Sequence, residues 1–240
     1  VILLAFVLIL FFGKSYIAPI FKPLPNTILA LLSFIVSLGF GYHVLMHLPS
    51  IDFRAYKIGD NLVTNMSTPK DAPKAIQEFT WVFMVSGEEQ TIVTDGSYPN
   101  VQGAYVSVET KVIDEGFQPS ILDFSIESED EDLTTQFLSE EKLILIVSYN
   151  LDSAEAQGLQ KLKALSEDAH SKGYTVIGLS ASGDDSKSKL IAKYGLDFGF
   201  YLCDEKALKT VVRSNPGVLQ LSKGTVQQKV HWNDIENLDL

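Results

Sequence analysis

A single cysteine, Cys203, is all the thiol this 240-residue chain carries, which excludes an intramolecular disulfide, a CxxC redox pair and a zinc knuckle. Acidic groups are missing altogether from the first fifty residues, where Lys14 and Lys22 are the only charges. The other 190 residues hold 17 basic and 30 acidic groups, so a net charge of +2 precedes one of −13. A water-facing part this acidic repels polyanions, and nucleic acid is excluded as a partner. Neither is the chain a disordered acidic tail, because 46% of its residues are hydrophobic and only 20% are charged. The sequence also lacks a Ser-His-Asp constellation and a Gly-rich phosphate loop. Ser180-Ala181-Ser182-Gly183 reads as a capping loop for the helix that follows it.

What the first fifty residues do have is long apolar runs. Ile28 to Leu48 is 21 residues without a charge, enough for a helix of about 30 Å, the thickness of a bilayer's hydrocarbon core. The pattern predicts a transmembrane helix over 28–48, started after Pro23 and Pro25, capped by Asn26 or Thr27, and ended by Pro49. Val1 to Phe12 is as apolar but would reach only about 18 Å as a helix. With no basic residue ahead of it and no small-x-small cleavage site behind, it reads as the end of an earlier transmembrane helix, in a chain continued upstream, and not as a signal peptide. Lys14 and Lys22 lie in the loop between the two runs. The positive-inside rule puts that loop in the cytoplasm and everything after Pro49 outside it.

Beyond Pro49 the pattern changes twice. Short alternating runs at 79–85, 90–93 and 104–112, parted by Gly87-Glu88 and by Asp95 to Asn100, predict a small antiparallel β unit. Glu127 to Asp132 packs five carboxylates into six residues without the glycine and glutamate spacing of a calcium loop, and reads as a solvated linker. From Leu138 strands and helices alternate. Leu143 to Tyr149 and Tyr174 to Ser180 are apolar strands covered on both faces, while Ser153 to Ser171 and Asp184 to Tyr194 are amphipathic helices ended by glycine. A short strand Phe198 to Leu202, a run Ala207 to Val212 of no assigned type, and a hairpin Val218 to His231 complete the order βαβα-ββ. Crossover helices make the first pair parallel and the tight turn makes the last pair antiparallel, so the sheet is mixed. Pro216 cannot donate into a ladder and must open its strand, with Asn215-Pro216 expected cis.

That order, with Arg213-Ser214-Asn215-Pro216-Gly217 before the last hairpin, resembles a thioredoxin or peroxiredoxin-type fold over 138–240. The stretch His47 to Gly59, together with Ser214 to Gly217 and His231-Trp232, is similar to bacterial, chiefly bacteroidete-type, DoxX/MauE-like membrane proteins with an extracytoplasmic thioredoxin-like module at the end. The fold class expected is therefore a thioredoxin-like α/β domain preceded by a small β-rich region and transmembrane helices. Its divisions fall at 1–50, 51–132 and 138–240. The resemblance implies a bacterial inner membrane protein with residues 51–240 in the periplasm, partnered by the membrane and by another membrane or periplasmic protein. It names no cofactor and no catalytic residue.

Active thioredoxins place their CxxC at the N-terminus of the first helix, where the dipole and the backbone amides lower the thiol pKa. This chain has Asp152-Ser153-Ala154-Glu155-Ala156 there. The expected role is accordingly binding or scaffolding, with Asn215, Pro216, Gly217 and Trp232 as candidate binding residues, Trp232 being read as an exposed aromatic. The rival reading is an accessory domain of a quinone- or thiol-linked membrane redox enzyme whose active groups lie upstream. Cys203 is the remaining redox candidate, though Asp204 and Glu205 beside it oppose a thiolate, and a structural thiol is the simpler reading. His43 and His47, spaced i, i+4, would need further ligands to hold a metal or haem, so interfacial histidines are preferred.

Overall fold

A computed structural model describes residues 9–13 and 23–240. The expected short apolar helix of residues 1–12 falls mostly outside the described residues, and the loop carrying Lys14 and Lys22 falls wholly outside. Two compact units follow from the chain's internal contacts, residues 1–49 and 50–240.

In the first unit, α1 runs Pro23–Met46 and is long and apolar enough, over Leu24–Met46, to cross a membrane. It begins earlier than the prolines suggested. The first turn of a helix has no intrahelical partners for its N–H groups, so Pro23 and Pro25 lose nothing by lacking them.

The second unit contains two sheets. Its chain passes through a short helix α2 (Leu62–Met66) into β1 (Ile76–Val85), β2 (Glu88–Thr94) and β3 (Ala104–Asp114), an antiparallel sheet of order β2-β1-β3. Alternation along β1 puts Phe79, Trp81 and Phe83 on one face, and Trp81 Nε1–H donates to Thr94 Oγ1 at 2.9 Å. The β1–β2 turn is Ser86-Gly87, both with positive φ, as a two-residue hairpin turn of the right twist requires.

A short helix α3 (Thr134–Leu138) leads into the second sheet: β4 (Leu143–Val147), α4 (Ala156–Ser171), β5 (Thr175–Ser180), α5 (Asp184–Tyr194), β6 (Phe200–Leu202), α6 (Glu205–Val211), β7 (Gly217–Ser222) and β8 (Thr225–His231). The strand order is β6-β5-β4-β7-β8, parallel from β4 to β6 and antiparallel from β4 through β7 to β8. β4 lies at the centre with all five residues fully buried, and the Asn215–Pro216 bond ahead of β7 is cis. This is a thioredoxin-like α/β fold with a mixed sheet. The run Ala207 to Val212 proves to be helical as far as Val211, with Val212 extended: Asp204 Oδ1 accepts from the N–H groups of Lys206 (2.8 Å) and Ala207 (3.0 Å), and seven residues are too few to reveal a helical period.

Two segments expected outside this domain pack on it. Residues 59–61 cover β8, with Gly59 N–H donating to Val226 O (2.8 Å) and Val226 N–H to Asp60 O (3.0 Å). They are held by Asp52, which accepts from Arg54 Nε (2.8 Å) and from Lys229 Nζ (2.5 Å), while Lys229 also donates to Tyr56 O (2.7 Å) and Val211 O (3.2 Å). At the opposite edge Glu127 exchanges both backbone bonds with Leu202 of β6, at 3.0 and 2.8 Å. The acidic stretch 127–132 is thus no free linker. It is a turn whose first residue closes the sheet edge, anchored by the fully buried Ile126, and the domain begins well before residue 138.

Candidate functional site

In this fold the loop between β4 and α4 meets the loop before β7. Here the two loops are joined by a polar network. Ser148 Oγ–H donates to Asn215 Oδ1 at 2.7 Å, and Asn215 Nδ2 donates to Asn150 O (2.8 Å) and Ser153 Oγ (3.3 Å). Asn150 Oδ1 accepts from the N–H groups of Asp152 (3.0 Å) and Ser153 (3.1 Å), folding the loop into a tight turn ahead of α4. Glu155 N–H, the amide that opens α4, donates to Asn215 O at 2.8 Å. Ser214 Oγ donates to Pro216 O and accepts from Trp232 N–H at 3.0 Å. Among the described residues no buried side-chain nitrogen or oxygen lacks a partner.

The packing beneath is equally close. Gly158, one turn into α4, has no Cβ because one would lie 2.7 Å from Trp232 Cβ and 3.0 Å from Pro216 Cδ. Trp232 is therefore buried, at 8% exposure, and not the exposed aromatic its place near the chain end suggested. The Cβ of Trp232 and the ring of Pro216 occupy the space that Gly158 leaves. Ser214, Asn215, Pro216 and Gly217 are buried as well, so these residues organise the site from within. What solvent meets there is the rim: Asp152, Ser153 and Glu155 on one loop and Arg213 on the other. Beside the first loop opens a cleft of ≈ 280 Å³ lined by Leu151, Ala154 and Leu159 and by Lys189, Lys193 and Tyr194 of α5.

The chemistry available follows from this geometry. At the start of α4, where a thiolate would sit, are Ser153 and Ala154, and a serine hydroxyl is a weak nucleophile at neutral pH without an adjacent base. Cys203 stands elsewhere, after β6 and two strands away from β4. It is 2% exposed, and its thiol is pushed up to about 11, first by burial and then by the charges of Asp204 and Glu127. In the first unit the rings of His43 and His47 lie 4.6 Å apart, and among the described residues no group of three potential ligands assembles around them or elsewhere.

Asn215, Pro216 and Gly217 are thus brought together with Trp232, while Cys203 lies apart from them in the same unit and His43 and His47 belong to the first unit. Ser148, Asn150 and Gly158 were missed in the sequence. The legible signal was Gly158 itself, a glycine inside a helical period, which marks a close approach.

No family model matches the chain, and no curated protein matches it. Solved structures do match, over somewhat less than half of its length. They include the thioredoxin domain of a thiol-disulfide oxidoreductase from Bacteroides vulgatus (13% identity, 44% of this chain and 81% of that one, TM-score 0.35). A thioredoxin-like protein from Aeropyrum pernix is similar at 15% identity over 48% and 86%, with a TM-score of 0.39. A thiol:disulfide interchange protein from Bacteroides sp. is similar at 13% over 48% and 81%, with a TM-score of 0.37. At such identities the likeness concerns the fold and leaves activity open.

Proposed function

We propose that the chain is a membrane-anchored, extracytoplasmic recognition module of a DoxX/MauE-like bacterial membrane protein, using a thioredoxin-like site from which thiol chemistry has been removed. Its partner is another membrane or periplasmic protein, received at the rim formed by Asp152, Ser153, Glu155 and Arg213. The observation that carries this reading is the network of Ser148, Asn150, Ser153 and Asn215. It fills the place of a redox centre with hydrogen bonds that satisfy one another, giving a rigid platform with no reactive group. Anchoring by α1 is supported by its length and apolar composition, and the extracytoplasmic side by Lys14 and Lys22 ahead of it.

The test uses the full chain in its own cells. An Asp185→Cys reporter in a Cys203→Ala background should label with a membrane-impermeant maleimide once the outer membrane is permeabilised, whereas labelling only after inner-membrane lysis would place the module on the wrong side. A photo-cross-linking residue at Glu155 should capture one discrete protein, while the same residue at Lys172, at the far end of α4, should not. Equal adducts from both positions would remove the rim from the account.

A further inference from the structure

The four outer strand edges of the second unit are treated differently. Residues 59–61 close β8, Glu127 closes β6, and β2 presents the paired acids Glu88 and Glu89, which discourage a second strand. The outer edge of β3 is covered by no other segment, although Glu109, Lys111 and Asp114 place charges of both signs along it. Its eleven residues, Ala104–Asp114, are all exposed, they contain no proline, and among the described residues none of them makes a backbone bond beyond the pairing with β1. Among them Tyr105 is 52% exposed, Val108 38% and Val112 50%. A long, uncovered edge that carries exposed apolar residues beside charges of both signs is suited to pairing with a strand of matching charge order.

We propose that this edge pairs with the same edge of a second copy of the chain, antiparallel about Thr110, to make one continuous six-stranded sheet across a two-fold axis. The occupant follows from the strand's own sequence. A two-fold perpendicular to a continuous sheet places one residue opposite itself and pairs its neighbours symmetrically. Centring on Thr110 sets Glu109 opposite Lys111 of the partner, twice, on one face. On the other face it sets Val108 opposite Val112, twice, around a Thr110–Thr110 pair. Opposite charges and β-branched residues directly across from one another are the favourable cross-strand pairs. Moving the axis by one residue either way puts Glu109 against Glu109 or Lys111 against Lys111, which is repulsive. The straight part of β3 also matches: the register with β1 slips at Val106 and at Ile113, so the regular stretch between the bulges contains 108–112.

Cysteine cross-linking tests the register, helped by the absence of any exposed native thiol. In the 240-residue chain carrying Cys203→Ala, in detergent and in membranes, Thr110→Cys should form a disulfide-linked dimer. Directly opposed residues stand roughly 4.5–5.5 Å apart between Cα atoms, within disulfide reach. Thr91→Cys on the β2 edge should remain monomeric. Adding Glu109→Lys or Lys111→Glu to Thr110→Cys should each lower the cross-linking rate about tenfold, and combining the two reversals should restore it. A dimer formed equally well through Thr91→Cys, no dimer through Thr110→Cys, or a double reversal as poor as the single ones would each overturn the proposal.

Discussion

Replacing Asp52 with alanine should have a large effect for a change outside the apolar core. Lys229 is 4% exposed and Asp52 13%, so the pair sits in a screened, poorly solvated setting. Removing the carboxylate leaves a buried ammonium with two carbonyl acceptors, Tyr56 O and Val211 O, and with the Arg54 guanidinium now uncompensated nearby. Losing one partner of a buried pair costs about 3–5 kcal/mol, and the two carbonyls that remain bring the expectation to about 3 kcal/mol. In a Lys229→Met background the same change removes only the more exposed Asp52–Arg54 pair and should cost about 1 kcal/mol, a coupling of about 2 kcal/mol.

The assay is urea unfolding of the detergent-solubilised chain at pH 7, followed by the fluorescence of Trp81 and Trp232, with trypsin cleavage after Arg54 and Lys57 as a local readout. Early cleavage at these sites should accompany Asp52→Ala, because residues 52–61 reach β8 through this cluster. pH supplies a second axis. Burial opposes ionisation of Asp52, but the hydrogen bonds from Arg54 and Lys229 outweigh it and hold the carboxyl well below its ordinary value of 3.8. The unfolded chain then binds more protons than the folded one in the interval below that value. The stabilisation is therefore complete above about pH 4 and drains as pH falls further. Asp52→Asn should flatten this acid limb. A cost below about 1 kcal/mol in both backgrounds, with an unchanged acid limb, would refute the reasoning.

Three further outcomes are expected. Ser148→Ala orphans the acceptor of Asn215 and should cost about 1–2 kcal/mol, whereas Asn215→Ala removes three side-chain bonds and should cost more, both read from urea midpoints. Gly158→Ala gains helix propensity of roughly 1 kcal/mol but forces a Cβ against Trp232 and Pro216, so a net loss of about 1–3 kcal/mol should appear in thermal unfolding. Cys203, buried and with its thiol pushed up to about 11, should react with a disulfide reagent at pH 8 at least about tenfold more slowly in the native protein than in urea, and equal rates would contradict its burial.

Much of the fold was legible because the strong signals are local. The apolar strands at 143–147 and 175–180, the helix ended by Gly195 in the left-handed region, and the hairpin through Lys223-Gly224 each announce themselves within a few residues. What was not legible depends on distant partners. That 52–61 closes one sheet edge is decided by Lys229 and Val226, about 170 residues away, and the role of Glu127 by Leu202. The site divides in the same way. Pro216 is marked by its own chemistry, but the burial of Trp232 follows from a missing Cβ at Gly158, and the network around Asn215 needs Ser148 and Asn150 to be seen in place.

The claim on which the functional reading rests is that this thioredoxin-like site carries out no thiol chemistry, and the direct measurement is disulfide reduction by the full chain. With dithiothreitol as electron donor and insulin as substrate, the wild type and Cys203→Ser should both run at the rate of the reagent alone, because exchange needs an attacking thiolate and Ser153 and Ala154 stand where it would be. Turnover by the wild type well above that of Cys203→Ser would make Cys203 a working thiol and contradict the account.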